Sequence, residues 1–290
     1  MRTIPTPAWA LLLAGGDGRR LKRLTQQIAG DPRPKQYCGI FDGETLLDRT
    51  RRRAELVTRP DQQVVVVTRA HEPYFRSLTT ELAPGRLVVQ PRNAGTSGGI
   101  LYPLLRIREL AGNVPVAVFP SDHYVSNDGP LVAAVLHAIS VAQAHPAFVV
   151  LLGVEASAPE TEYGWIDPDP VPLPLPGEPA FPIRRFWEKP SLRLAQRLFE
   201  RGALWNSFIM VGWVDASSGS RAAWPPTSLL PSNRCGSRSA DRARRRSPSA
   251  STRRSSPVAS PNASSYRARM ASSRCAPRAW TGVIGATRSV

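Results

Sequence analysis

Glycine and fixed positive charge lie side by side near the N-terminal end of the sequence. Residues 11–21 read Leu-Leu-Leu-Ala-Gly-Gly-Asp-Gly-Arg-Arg-Leu. Glycine has no Cβ, so a turn at Gly15, Gly16 and Gly18 can adopt positive φ and bring backbone N–H groups close to an anion. The guanidinium of Arg20 stays charged and matches the geometry of phosphate oxygens. The stretch therefore predicts a phosphate-binding turn.

This turn matches neither common glycine-rich phosphate motif. The dinucleotide pattern G-x-G-x-x-G lacks its third glycine here, and no Gly-Lys-Ser/Thr follows to make a P-loop. A tight turn between a buried strand and a loop, without any ligand, is the alternative interpretation of the same residues.

A second motif, Pro34-Lys35-Gln36, follows the turn. The order Gly-Gly-x-Gly-x-Arg-Leu, then Leu24-Thr25, then Pro-Lys-Gln resembles the signature of sugar-phosphate nucleotidyltransferases, and among them the mannose-1-phosphate guanylyltransferases. The resemblance implies GTP and mannose 1-phosphate as substrates, GDP-mannose and pyrophosphate as products, and Mg²⁺ as cofactor. It also implies that Arg20 and Lys35 neutralise the triphosphate during catalysis.

The same resemblance implies a nucleotide-binding set that extends to a later segment, Gln-Pro-Arg-Asn-Ala-Gly-Thr, at residues 90–96. A strand–helix loop with Thr96 as the helix N-cap is the alternative interpretation of this segment. The implied nucleotide-binding residues are Leu13, Ala14, Gly15, Gly16, Gly18, Gln90, Asn93, Gly95 and Thr96.

Asp122 follows an apolar run in the sequence Pro-Ser-Asp-His. A carboxylate at the end of a strand suits Mg²⁺, which takes one or two protein carboxylates and completes its shell with phosphate oxygens and water. The family carries a metal-binding aspartate here, so the resemblance implies this role for Asp122. The alternative is a cap for the next turn. His123 is expected to support the site rather than to act as a base.

Three later motifs resemble the sugar-binding part of the family: Tyr-Gly at 163–164, Glu-Lys-Pro at 188–190 and Trp-Asn-Ser at 205–207. Each is weak alone, and their order and spacing carry the resemblance. Phe208 stands where the family has glycine, a departure that affects the local geometry. The implied sugar-phosphate-binding residues are Tyr163, Gly164, Glu188, Lys189 and Asn206.

The elements that position these residues alternate between strands and helices up to residue 160. This alternation is typical of a parallel sheet with helices on both faces, where ligands bind beyond the carboxyl ends of the strands. Strands are predicted at 8–14, 63–69, 86–90, 114–119 and 148–154, and helices at 44–57, 72–82, 97–111 and 130–144.

The predicted fold is therefore α/β, a three-layer α/β/α arrangement with a mostly parallel, Rossmann-like sheet of the nucleotide-diphospho-sugar transferase type. Residues 1–160 are the predicted nucleotide-binding core, and 161–214 a small mixed, incomplete sugar-phosphate-binding lobe. Within that lobe, strands are predicted at 163–167, 183–188 and 204–214 and a helix at 192–201.

Residues 215–290 differ from the rest in composition. They hold fourteen arginines, no lysine and two aspartates, a net charge of +12 out of +16 for the whole chain. Such a Ser-, Arg-, Ala- and Pro-rich segment has too little apolar surface to fold and is predicted to be disordered. The family resemblance ends near Val214, before the glycine- and tryptophan-containing segment that carries a second metal-binding aspartate in the family.

This change of composition also resembles GC-rich coding sequence read out of frame, so a frameshift near codon 215 is a further hypothesis. On either account the chain as written is expected to be poorly stable and weakly active or inactive. An inactive nucleotide-binding remnant is one alternative function, and an enzyme for another sugar 1-phosphate and another base is a second.

The rest of the composition argues against a membrane-spanning, secreted, disulfide-rich, zinc-binding or nucleic-acid-binding protein. No apolar run reaches eighteen residues, which predicts no membrane span, and no signal-peptide pattern is evident. Three distant cysteines fit neither a disulfide framework nor a zinc site, so a cytoplasmic location is expected. The arginine-rich tail lacks the aromatics and the fold of a nucleic-acid-binding domain, and a homo-oligomer stays open. His71, His137 and His145 have no partners at ligand spacing.

Overall fold

The computed structural model describes residues 7–41, 43–174, 179–219 and 284–288. Most of the segment predicted to be a disordered tail, 220–283, lies outside the described residues. The described helices are α1 (Lys22–Ala29), α2 (Leu46–Glu55), α3 (Glu72–Phe75), α4 (Leu78–Glu81), α5 (Gly95–Ala111), α6 (Asp128–Ala144), α7 (Leu192–Glu200) and α8 (Val214–Gly219).

Strands of the described residues form one nine-stranded sheet and a small two-stranded one. The order in the large sheet is β5-β4-β1-β6-β10-β7-β11-β9-β8, and β2 pairs with β3. The strands are β1 (Trp9–Leu13), β2 (Gly39–Phe41), β3 (Glu44–Thr45), β4 (Gln63–Thr68), β5 (Leu87–Gln90), β6 (Pro115–Pro120), β7 (Phe148–Glu155), β8 (Gly164–Pro168), β9 (Ala180–Glu188), β10 (Leu204–Trp213) and β11 (Ile284–Arg288).

Strands β5, β4, β1 and β6 form a continuous parallel block, and β11 and β9 also pair in parallel. β1 lies between β4 and β6 and is apolar throughout, because a strand covered on both faces must bury every side chain. Apolar residues of α5 cover one face of the sheet, and those of α2 and α6 cover the other. The predicted three-layer α/β fold with its mostly parallel sheet is confirmed.

The predicted sugar lobe contributes its strands to this same sheet. β10 runs antiparallel between β6 and β7, and it also pairs with β8. Its residues Ile209, Met210 and Val211 are buried, as an interior strand requires. The division into a core and a sugar lobe stays a prediction about function, since one sheet connects the two parts.

Two local predictions differ from the structure. The single helix predicted at 72–82 is two short helices, α3 and α4, which bury Phe75 and Leu78 respectively. Helix α8 continues past residue 214, where the tail was predicted to begin, and residues 284–288 of that tail form β11 between β7 and β9. Backbone pairing on both sides forms β11, and composition gives no signal for it.

Candidate active site

One cleft of about 890 Å³ lies at the carboxyl ends of β1, β5 and β6, and residues next to or within β8, β9 and β10 also line it. Parallel strands bring their carboxyl ends to one edge, so this is where an α/β sheet binds ligands. The cleft is large enough for a nucleotide-sized ligand. Sixteen of the seventeen predicted site residues line it.

Ala14 is the exception. Its side chain is fully buried, and its N–H group donates to the carbonyl of Val66 at 2.8 Å. The Ala14 carbonyl accepts hydrogen bonds from Gln36 and Tyr37. Ala14 therefore does not line the cleft, because it still belongs to the sheet end of the turn and its polar groups are used within the protein.

The glycine turn packs against the Pro-Lys-Gln motif. Gly18 has φ +58°, and a Cβ there would lie 3.3 Å from the backbone nitrogen of Lys35 and 3.4 Å from the Pro34 Cα. A side chain at this position would meet both the left-handed backbone and that close approach. Glycine thus lets the two motifs meet, and it brings Lys35 to the cleft beside the turn.

Arg20, the predicted triphosphate ligand, forms an ion pair with Glu162. Both side chains are more than half exposed, at 71% and 56%. Exposed ion pairs of this kind contribute little to stability. Glu162 directly precedes the Tyr163-Gly164 motif, so the pair connects the glycine turn with the sugar side of the cleft. No sequence motif signals Glu162, so its place beside Arg20 was not predicted.

The segment from Gln90 to Thr96 joins β5 to α5. The Asn93 side-chain oxygen accepts the Gly95 N–H at 2.9 Å, and Gly95 has φ +72°. Helix α5 therefore starts at Gly95 without a side-chain N-cap, and Thr96 is exposed. The N-cap alternative for Thr96 is wrong, and the free N-terminal turn of a 17-residue helix faces the cleft with Asn93, Gly95 and Thr96.

Asp122 lies just beyond β6 with its side chain half exposed. The next helix, α6, is capped by Asn127, whose side-chain oxygen accepts the Gly129 N–H at 3.1 Å, so Asp122 does not cap that helix. Within the described residues no three His, Cys, Asp or Glu side chains group as a metal site. A single carboxylate fits Mg²⁺ only where phosphates supply most of the other ligands.

His123 is a close neighbour of the Asp122 carboxylate, whereas Asp215 is not brought to the cleft. His123 Nε2 lies 3.6 Å from the Asp122 carboxylate. Desolvation lowers the pKa of His123, the Asp122 charge opposes this shift, and Lys35 and Arg53 reinforce it. Asp215, the next acid along the chain after β10, forms an ion pair with Arg108 on α5 and does not line the cleft.

On the sugar side, Gly164 pairs with Glu188 across β8 and β9. A Cβ on Gly164 would lie 2.9 Å from the Phe186 ring and 3.1 Å from a Glu188 carboxylate oxygen. The glycine is therefore required by the close packing of β9, in addition to any approach of a ligand. The Tyr163 ring contacts Trp205 edge-on, with centroids 5.0 Å apart.

Strained backbone occurs on this side of the cleft. Among the described residues, Lys189 (φ 45°) and Phe208 (φ 62°) are the non-glycine residues with positive φ, and both line the cleft. The register of β10 shifts between Asn206 and Met210. The Asn206 side-chain oxygen accepts the Phe208 N–H at 3.0 Å, which leaves the amide NH₂ of Asn206 for a ligand. Strain of this kind concentrates at functional sites.

The charges that line the cleft nearly cancel. Its described lining holds three cations, Arg20, Lys35 and Lys189, and four acids, Asp17, Asp122, Glu162 and Glu188. Asp17 lies 3.5 Å from His71 Nε2, so His71 has a partner that its spacing in the sequence did not reveal. Burial lowers the pKa of His71, and the Asp17 charge opposes this shift.

Comparison with known proteins identifies the family of the chain. The family model of nucleotidyl transferases matches residues 9–220. The chain belongs to this family.

Named relatives cover a similar stretch. The chain is 28% identical over 200 residues to the xanthan biosynthesis protein XanB of Xanthomonas campestris pv. campestris strain B100, which covers 68% of this chain and 40% of XanB. It is 28% identical over 204 residues to the mannose-1-phosphate guanylyltransferase of Escherichia coli K12, covering 69% and 41%. The chain thus spans about 40% of the length of these curated relatives.

A solved structure from Thermus thermophilus, described as a mannose-1-phosphate geranyltransferase, superposes with a TM-score of 0.63 at 29% identity. The alignment covers 72% of this chain and 58% of that one. None of the helices in the described part of the chain is long and apolar enough to cross a membrane.

Proposed function

We propose that the cleft binds GTP and mannose 1-phosphate and transfers the nucleotidyl group to give GDP-mannose and pyrophosphate. The observation that carries this proposal is the assembly in one cleft of the glycine turn, Lys35, Asp122 and the three sugar-side motifs, which are far apart in the sequence. The names of several relatives support mannose 1-phosphate and a guanine nucleotide.

In the proposed reaction an oxygen of the sugar phosphate attacks the α-phosphorus of GTP. The bond from that phosphorus to the oxygen bridging it to the β-phosphorus breaks, and pyrophosphate leaves with that electron pair. The attacking phosphate is already ionised at neutral pH, so no general base is needed. Catalysis then depends on positioning and on charge neutralisation.

The chain's residues divide this work between the two sides of the cleft. Lys35 and the glycine turn hold the triphosphate, and Arg20 joins them when it leaves Glu162. Lys189 places the attacking phosphate at the end of β9. Asn206 donates its free amide NH₂ to the sugar, and Glu188 accepts sugar hydroxyl groups.

A divalent cation is part of the proposal because of the charge balance. Three cations against four acids cannot neutralise the roughly four negative charges of a nucleoside triphosphate. Asp122 is the residue that would hold Mg²⁺, with phosphate oxygens as further ligands. When bound, Mg²⁺ would neutralise charge on those oxygens.

Pyrophosphate release from GTP and mannose 1-phosphate, with and without Mg²⁺, tests the function. We expect GTP to be preferred over ATP, UTP and dTTP, and mannose 1-phosphate over glucose 1-phosphate. A preference for another pair would support the alternative of a related nucleotidyltransferase. A cytoplasmic location and the oligomeric state stay predictions.

A nucleotide-binding remnant is the second candidate, because one observation favours it. No three His, Cys, Asp or Glu side chains of the described residues group as a metal site around Asp122, and Asp215 pairs with Arg108. Saturable GTP binding without pyrophosphate release would support this candidate. Absence of GTP binding would contradict both.

A further inference from the structure

Side chains from other segments donate hydrogen bonds to the carbonyl groups of the glycine turn. Four consecutive carbonyls, from the end of β1 into the turn, each accept at least one side-chain hydrogen bond. The bonds are Ser121 Oγ to Leu13 at 2.6 Å, Gln36 Nε2 to Ala14 at 2.9 Å, Tyr37 Oη to Ala14 at 3.1 Å, Thr68 Oγ1 to Gly15 at 2.8 Å and Gln36 Nε2 to Gly16 at 2.9 Å.

These donors are buried and fixed. Gln36 and Tyr37 are 3% exposed, and Thr68 is 2% exposed. Burial raises the pKa of the Tyr37 hydroxyl, so it stays protonated and remains a donor. Buried side chains of this kind hold one rotamer, so the hydrogen bonds fix the orientation of the peptide units that accept them.

Gln36 holds two carbonyls that lie two residues apart, those of Ala14 and Gly16. These carbonyls share their peptide units with the N–H groups of Gly15 and Asp17. In a trans peptide the N–H points opposite to the C=O. The buried amide of Gln36 therefore orients the N–H groups of Gly15 and Asp17 in the same direction, away from Gln36.

N–H groups two residues apart that point the same way are the donors of an anion-binding nest. Gly15, Gly16 and Asp17 all line the cleft. Thr68 fixes the intervening Gly15 carbonyl and so the N–H of Gly16. Gln36 also follows Lys35 directly, so one short turn carries both a cation of the cleft and this support.

We propose that Gln36, assisted by Thr68, is a positioning residue that sets the glycine turn in its anion-binding conformation. The ligand class is the polyphosphate chain of a nucleotide, so the inference rests on the proposed function. Tyr37 adds a second donor to a carbonyl that Gln36 already holds, and its hydroxyl is therefore dispensable for this role.

The experiment measures dissociation constants of GTP with Mg²⁺ and of mannose 1-phosphate by calorimetry on the full chain. Four variants are compared: Gln36→Glu, which lacks the NH₂ group that donates to both carbonyls; Thr68→Val, which has the same shape; Tyr37→Phe; and Gln27→Glu, a matched control on the exposed surface of α1. Thermal unfolding of each variant is recorded in parallel.

We expect Gln36→Glu to weaken GTP binding roughly tenfold or more, as lost support of a binding group typically does. Thr68→Val should weaken it about threefold, and Tyr37→Phe and Gln27→Glu should change it less than twofold. Mannose 1-phosphate binding should stay unchanged in all four, which separates mispositioning of the turn from unfolding.

Equal losses in Gln36→Glu and Tyr37→Phe, or parallel losses of both ligands, would overturn the positioning role and leave only general packing. If Gln36→Glu fails to fold, the order of Thr68→Val and Tyr37→Phe still decides. Unchanged GTP binding in Gln36→Glu and Thr68→Val overturns this inference alone. Absence of GTP binding by the unaltered chain overturns the proposed function as well.

Discussion

Arginine is used in two ways along this chain. In residues 9–214, several arginines have defined partners: Arg53 is 4% exposed and lies 2.6 Å from Asp128, and Arg33 contacts Asp31 through two nitrogen atoms. Residues 215–290 contain fourteen arginines and only two acidic residues, both aspartates. The difference teaches that the net charge of +16 describes the second region and says little about the cleft.

The largest expected effect comes from the reading frame of the second region. Trp280 has a single codon, TGG, and every threonine codon begins with AC. The frame that starts on the last base of the Trp280 codon therefore reads GAC, which is aspartate, at this point. The codons of residues 281–287 then allow Trp-Ser-Asp-Trp-Gly-Asp to follow.

The residues after this aspartate depend on codon choice, and Trp-Ser-Asp-Trp-Gly-Asp is one of the allowed sequences. That choice would give an aspartate segment with glycine and tryptophan, of the kind that the family resemblance implies for the second metal-binding carboxylate. We expect the gene to keep this frame free of stop codons from about codon 215 onward. A chain with that frame restored should release pyrophosphate roughly 100-fold faster or more, as gain of a group that neutralises charge in the transition state implies.

Nucleotide sequencing checks the first expectation, and pyrophosphate release by both chains checks the second. A stop codon in the alternative frame before codon 280 would remove the hypothesis. Equal rates for the two chains would show that residues 1–214 suffice for catalysis.

The next prediction compares one arginine from each region. Arg53→Met should lower the free energy of unfolding by about 2–3 kcal/mol, because it leaves the partly buried Asp128 without its partner. Arg245→Met, in the second region, should change it by less than about 0.5 kcal/mol. Denaturant unfolding followed by tryptophan fluorescence measures both, and equal effects would contradict the comparison.

Phe208 tests a departure from the family pattern within the matched region. Phe208→Gly should relieve a left-handed backbone that costs about 1–2 kcal/mol, while it loses the packing of a half-buried ring. We expect the free energy of unfolding to change by less than about 1 kcal/mol, since burial of such a ring contributes a similar amount.

Ligand binding should respond more than stability does, because Phe208 lines the cleft. Phe208→Asn is the control variant: it also removes the ring, and asparagine, like glycine, tolerates positive φ. A loss of several kcal/mol in Phe208→Gly would show that the ring, and not the backbone, dominates this position.

The smallest expected effect concerns the Arg20–Glu162 pair. Glu162→Gln should tighten GTP binding about two- to fivefold at low ionic strength, because Arg20 then binds the phosphates without first leaving the Glu162 carboxylate. The gain is small because exposed ion pairs contribute less than about 1 kcal/mol. The gain should shrink in roughly 0.5 M salt, where charges on the surface are screened. Weaker GTP binding in this variant would mean that Glu162 itself contacts the ligand.

Sequence reasoning predicted the fold well where the pattern is local and strongly apolar. Strands β1, β4 and β6 and helices α5 and α6 follow directly from buried runs and helical periodicity. The position of β10 between β6 and β7 could not be predicted, because antiparallel insertion depends on long-range pairing that no local pattern encodes.

The candidate site follows the same division. Residues within recognisable motifs, such as Lys35 and Glu188, reach the cleft as predicted. Glu162, Thr68 and the Asp17–His71 pair were missed because their roles arise from contacts between distant segments. Gln36 was quoted within its motif, yet its role became visible only through the two carbonyls that it contacts.

The near balance of charge around the cleft has a consequence for molecular encounters. A strongly basic pocket steers every polyanion toward itself, including RNA and free phosphate. A wall of three cations and four acids exerts little such pull. A triphosphate complexed with a divalent cation keeps only about half of its negative charge, so it would be repelled less by this lining than the bare polyanion. The charge of the cleft therefore favours the complexed form before any specific contact forms.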